Sequence, residues 1–155
     1  MIYDRSAAID YAHKWALARN PAFYNFDNIG GDCTNFISQC LYAGSGRMNF
    51  TRDTGWYYRS ANDRAAAWTD VEYLHRFLVG NKGVGPWASE LALEYAQPGD
   101  VIQLSFDGYK HTHSLLILYT YPEILIAAHS DDALNRQLAS YQYHSARLLH
   151  IEGVR

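Results

Sequence analysis

The sequence predicts an α+β fold in which helices come first and an antiparallel sheet follows. Three observations carry this. Apolar residues recur at helical spacing in the first half, around residues 8–16, 33–41 and 71–78. After residue 100 they gather instead into short runs separated by turn dipeptides such as Pro98-Gly99 and Asp107-Gly108. At 155 residues the chain suits one domain spanning 1–155, with no composition shift or linker to divide it.

In order, Asp4 or Ser6 can cap a first helix running to about Asn20, with Ala8, Tyr11, Ala12, Trp15 and Ala16 on one face and Pro21 stopping it. Residues 21–31 form a loop that delivers the chain to Asp32. The next helix carries Cys33, Phe36, Ile37, Cys40 and Leu41 as one stripe, with Thr34, Asn35, Ser38 and Gln39 on the other face. Asp32 is a good N-cap and Gly44 suits the left-handed residue that ends a helix. Residues 45–69 keep neither period and read as an irregular excursion in which Trp56 and Tyr57 are candidates for a substrate groove.

A helix from about Asp70 to Val79 follows, then a Gly-rich turn and a short helix over Ser89 to Tyr95. Strands are expected at Val101–Phe106, His113–Tyr119, Ile124–His129 and Arg147–Glu152, with residues 131–143 as loop.

Composition narrows the function classes. A net charge of −3 without a Lys/Arg run argues against nucleic acid or an anionic membrane as the main partner. No apolar run approaches the ~20 residues of a membrane span, and the N-terminus lacks the basic and apolar regions of a secretory signal. That pattern fits a cytoplasmic protein, or a processed or excised domain of a cell-wall or extracellular one. Thirteen tyrosines and four tryptophans favour an aromatic-lined cleft, and a monomer is assumed. The two cysteines lie seven apart on one helix, about 10.5 Å at 1.5 Å per residue, too far for a disulfide, so both are expected as free thiols.

Cys33 at a helix N-terminus is a candidate nucleophile, since the helix dipole there favours a thiolate and lowers its pKa. Its place on the apolar stripe equally suits a buried core cysteine. A nucleophile needs a base and a group to orient that base. If the strands after His113 and before His129 pair as a hairpin, the two rings lie side by side, with His113 as base and His129 as orienter. Asp131 is the alternative orienter. His111 reads as a solvated loop histidine, and Cys33, His111 and His113 together are a further alternative, three ligands of a catalytic zinc.

The run Asp32-Cys33-Thr34-Asn35-Phe36, then Pro98-Gly99-Asp100-Val101-Ile102, then His113 opening an apolar strand and Ile126-Ala127-Ala128-His129-Ser130 closing the next, resembles the papain-like NlpC-type and CHAP-type cysteine amidases. More closely, residues 32–41 resemble the signature of the bacterial putative amidase domain family. The resemblance implies a papain-like fold without metal or other cofactor, and a thiol amidase or peptidase. It further implies Cys33 as nucleophile, His113 as base and acid, His129 as orienter, and a peptide or peptidoglycan-fragment substrate. An acyltransferase, or a non-catalytic module that binds peptide or glycan in the same cleft, is the alternative.

Overall fold

A computed structural model describes all residues 1–155. Two N-terminal helices, α1 (Arg5–Trp15) and α2 (Cys33–Ser45), precede a small hairpin of β1 (Tyr58–Ser60) and β2 (Asp63–Arg64). Two more helices follow, α3 (Ala66–Thr69) and α4 (Val71–Gly80). The main sheet contains β3 (Pro86–Leu91), β4 (Val101–Ser105), β5 (His111–Tyr119), β6 (Leu125–Ala128), β7 (Ala133–Gln137) and β8 (Ser145–Val154). All its pairings are antiparallel, in the order β3-β8-β4-β5-β6-β7. The architecture is α+β, as the periodicities predict. No helix is long and apolar enough to cross a membrane.

Asp4 caps α1 by accepting from the Ala7 N–H at 3.0 Å. The helix ends at Trp15, short of the Asn20 expected from Pro21: after the Ala16 N–H bond to Ala12, the Trp15 carbonyl accepts from the Ala18 N–H at 3.2 Å and lies 2.8 Å from His129 Nε2. Arg19 is then drawn away to Asp27 and Asp132.

Helix α2 is buried on both its stripes. Phe36, Ile37, Cys40 and Leu41 enter the larger apolar core, against α1, α4 and one face of the sheet. The polar stripe is buried too, and each member has a partner: Thr34 Oγ1 lies 3.0 Å from Ser114 Oγ, and Ser38 Oγ donates to the Trp68 carbonyl. Asn35 Oδ1 accepts from Trp68 Nε1, and Gln39 Oε1 accepts from the Tyr11 hydroxyl. Two expectations at its ends need correction. Asp32 occupies the N-cap position but makes no capping hydrogen bond, and the left-handed C-cap is Gly46 (φ 68°), not Gly44. Gly44 lies inside the helix, where any Cβ would meet Tyr3 Cε1 at 2.5 Å and the Asp4 carbonyl at 2.8 Å.

The excursion over 45–69 folds as the β1–β2 hairpin, an Asn49–Trp56 bridge and α3. Trp56, expected at a groove, is fully buried in the core, where its Nε1 donates to Ser38 Oγ and its ring packs on Trp68 and Phe77. Tyr57 packs on Phe50 and under the Arg59 guanidinium, apart from the cavity that Cys33 lines.

Of the short helix expected over Ser89 to Tyr95, residues 89–91 instead belong to edge strand β3 on β8, and only Leu93–Tyr95 turns, as a 3₁₀ segment. The polar stretch after Asp131 holds edge strand β7. Its outward residues are solvated, so alternation is the only apolar signal it leaves. A second core of Ile102, Leu104, Leu115, Ile117 and Leu148 lies on the sheet face away from the helices.

Candidate active site

The thiol of Cys33 lies at the first residue of α2, against the strand β5 that carries His113. Ile117 directs its N–H and C=O toward the β4 side, to Asp100 and Gly99, so even-numbered residues of β5 direct theirs toward β6. Pairing of β6 stops at Leu116 opposite Ala127, leaving the edge beyond it uncovered. Cys33 Sγ fills that gap: it receives the Ser114 N–H and lies 4.0 Å from the Thr112 carbonyl oxygen. Thr34 adds its own N–H and its hydroxyl, 3.7 Å from the sulfur. The main chain of His113 therefore sits between the two backbone groups that touch the thiol.

Burial raises the Cys33 thiol above its ordinary value, outweighing the hydrogen bonds from Ser114 and Thr34, and the negative Asp32 adds to the rise. The lowered thiol expected from the helix dipole is thus corrected: desolvation wins. Burial, reinforced by the positive Arg136, lowers His113 to about 4, with Asp131 opposing. At neutral pH the two groups are a neutral thiol and a neutral imidazole.

A bulge in β5 decides where the histidines go. Leu104 pairs with His113 but Ser105 pairs with His111, so Thr112 is the extra residue, and His111 turns to the face opposite His113. His111 lines a cavity of about 550 Å³ together with Cys33, Thr34, Asp70, Glu72 and Tyr109. Its Nδ1 lies 3.7 Å from Glu72, and it is not a free loop residue. His113 lines a second cavity of about 600 Å³ with Ser130, Asp131, Arg136 and Tyr141, and neither ring nitrogen has a hydrogen-bond partner in the protein. Thr112 borders both cavities. The three ligands of the zinc alternative consequently do not converge, and no three His, Cys, Asp or Glu side chains form a metal-holding group.

The expected contact between His113 and His129 does not form. Carrying the Leu116–Ala127 register two residues further sets Ser114 opposite His129, so the two histidine rings leave opposite faces. His129 and Asp32, each 1% exposed, are instead bound to each other, with His129 Nδ1 donating to Asp32 Oδ2 at 2.6 Å. The His129 ring stacks on Phe36 with centroids 4.0 Å apart. Asp32 also accepts from the Phe26 N–H and from Asn35 Nδ2, which explains why its side chain leaves the helix uncapped. The Cys33 N–H, at the head of that uncapped turn, is left with no protein acceptor. Asp131 shares the His113 cavity but makes no hydrogen bond to it; its carboxylate turns to Arg136 Nη1 at 3.4 Å. Arg136 was missed in the sequence because the segment carrying it reads as loop.

A family model described as putative amidase domain matches residues 2–151. The chain belongs to that family. A Bacillus subtilis (strain 168) member of the curated proteins, the uncharacterized protein YhbB, is 36% identical over 115 residues, covering 71% of this chain and 36% of that protein. This amidase-family chain thus spans about a third of the length of the curated relative it matches. No solved structure matches it.

Proposed function

We propose that the protein hydrolyses amide bonds with Cys33 as nucleophile, in a papain-like arrangement of helix-borne thiol and strand-borne base. Sγ attacks the amide carbonyl carbon while His113 takes the thiol proton. His113 then passes that proton to the departing amine, leaving a thioester on Cys33. Water, activated by the freed imidazole, hydrolyses the thioester and regenerates the thiol. The observation that carries this reading is the docking of Cys33 Sγ between the Ser114 N–H and the Thr112 carbonyl, the two residues flanking His113. The His113 ring nitrogens have no hydrogen-bond partner in the protein, and the low pKa of the ring keeps it a base at neutral pH.

The unpartnered Cys33 N–H supplies one oxyanion donor, a contribution worth roughly 3 kcal/mol of barrier in comparable sites. His129 acts on the first turn of α2 through Asp32, not on the base directly. Cell-wall-type peptides are the proposed substrates, a class supported by the resemblance to NlpC-type and CHAP-type enzymes.

One observation favours a second assignment of the base: His111 shares the Cys33 cavity. Incubation of purified peptidoglycan fragments with wild-type, Cys33→Ala, His113→Gln and His111→Gln proteins, with products weighed by mass spectrometry, separates the cases. Cys33→Ala is expected to abolish product, and His113→Gln to slow turnover by about 10²–10⁴-fold with His111→Gln near wild type. Loss confined to His111→Gln moves the base to His111, and full activity in Cys33→Ala ends the proposal.

A further inference from the structure

The cavity beside His113 contains one cation that the hydrolytic steps do not use. Arg136 projects from β7, and its guanidinium carbon lies 3.6 Å above the centre of the Tyr141 ring. Its Nε donates to Ser140 Oγ at 2.8 Å, and Nη1 lies 3.4 Å from Asp131. Nη2 has no partner. Stacking and the Ser140 bond fix the plane of the group, so its fork is already oriented before anything binds. Asp131 is a weak competitor, since its carboxylate is 89% exposed and holds only one edge of the fork. The Tyr141 ring is 5.8 Å from that of His113, so the cation and the base face the same cavity of about 600 Å³.

We infer that this cavity is a carboxylate subsite, in which Arg136 grips a free carboxylate of the substrate near the amide presented to Cys33 and His113. The assignment deepens the amidase reading and rests on it for the neighbouring amide. It restricts the substrates to acylated amino acids or peptides that carry a free carboxylate close to the bond cleaved. A planar carboxylate suits the two-pronged guanidinium better than it suits an ammonium group.

The site has a built-in reporter. Burial first and Arg136 second hold His113 low, against Asp131, so a carboxylate neutralising Arg136 raises His113. N-acetylalanine and its carboxamide are titrated into the full chain while the His113 imidazole is followed by NMR across pH. N-acetylalanine is expected to bind at least about tenfold more tightly than the amide, a typical value for a charged hydrogen bond, and to move the His113 midpoint upward. Arg136→Gln is expected to erase both differences. Ser140→Ala, which keeps the charge but frees the fork, is expected to weaken carboxylate binding, and it serves if Arg136→Gln does not fold. Equal binding of the two probes, or a carboxylate preference that survives Arg136→Gln, overturns the subsite. Turnover of peptidoglycan fragments by the wild-type protein is measured alongside. Carboxylate binding without turnover leaves the subsite standing and removes hydrolysis, whereas turnover indifferent to a free carboxylate does the reverse.

Discussion

At the residue scale, burial sets the chemistry of the thiol more than helix position does. Cys33 stands where the dipole favours an anion, yet desolvation raises its pKa, so the proposed nucleophile rests as a thiol. Iodoacetamide should therefore label Cys33 slowly at pH 6, with the rate still climbing above pH 9; rapid labelling with a plateau near pH 6 would indicate a preformed ion pair instead. The proposed mechanism then draws on His113 as an unprotonated base, and kcat/KM should fall on the acid side only near pH 4, where that ring takes up its proton. The Asp32–His129 pair is a second case of environment over local rule. An aspartate before a helix ordinarily caps it, but a buried partner on β6's continuation is the stronger claim on the carboxylate. Asp32→Ala leaves the His129 ring buried without its acceptor, and a loss of about 3–5 kcal/mol is expected in urea unfolding. A loss below about 1 kcal/mol would mean that the pair does not hold the start of α2.

At the element scale, helix α2 is the piece on which the site depends, and its contacts were only partly legible in the sequence. The 3.6-residue stripe gave its existence and its start, and the His113 and His129 strands followed from apolar runs between turn signals. Its end did not follow, because Gly44 and Gly46 are both plausible stops. Only the tertiary approach of Tyr3 shows that Gly44 is there for space. Gly44→Ala should thus displace α1 from α2 and cost on the order of 1–3 kcal/mol, as forced overpacking does. Gly46→Ala meets no neighbour and should cost about 1 kcal/mol, from the left-handed φ alone. Thermal or urea unfolding of the two variants checks the order. The bulge at Thr112 was also illegible, since nothing in His-Thr-His signals an unpaired residue. Yet that one residue sends His111 toward Cys33's cavity and His113 toward the other. Trp56 illustrates the same limit: an aromatic among arginines looks like surface, and its burial depends on Ser38 reaching its Nε1 from α2.

At the scale of the whole molecule, the sheet separates two cores, and the site lies where its helix-covered face meets its second face at the end of β5. His113 belongs to the second face, 8% exposed beside Leu104, so the proposed base lies in an apolar setting that disfavours its charged form. In the proposed mechanism that placement couples catalysis to stability. The unfolded chain protonates this histidine near 6.5, whereas the folded one resists until about 4. Below pH 6.5 the unfolded state binds the extra proton, so folding stability falls as pH drops through that window and the loss is complete near pH 4. The difference corresponds to about 3 kcal/mol at most, an appreciable part of a typical domain's stability. In His113→Gln this part of the slope should vanish: urea unfolding at pH 7 and pH 4.5 is expected to show a smaller acid loss in the variant than in the wild type. The same substitution is the one expected to remove turnover, so one variant would gain acid tolerance as it loses activity. An identical acid slope in both proteins would mean that His113 is solvated in the native state, and with it the argument for a neutral base at the thiol would fail.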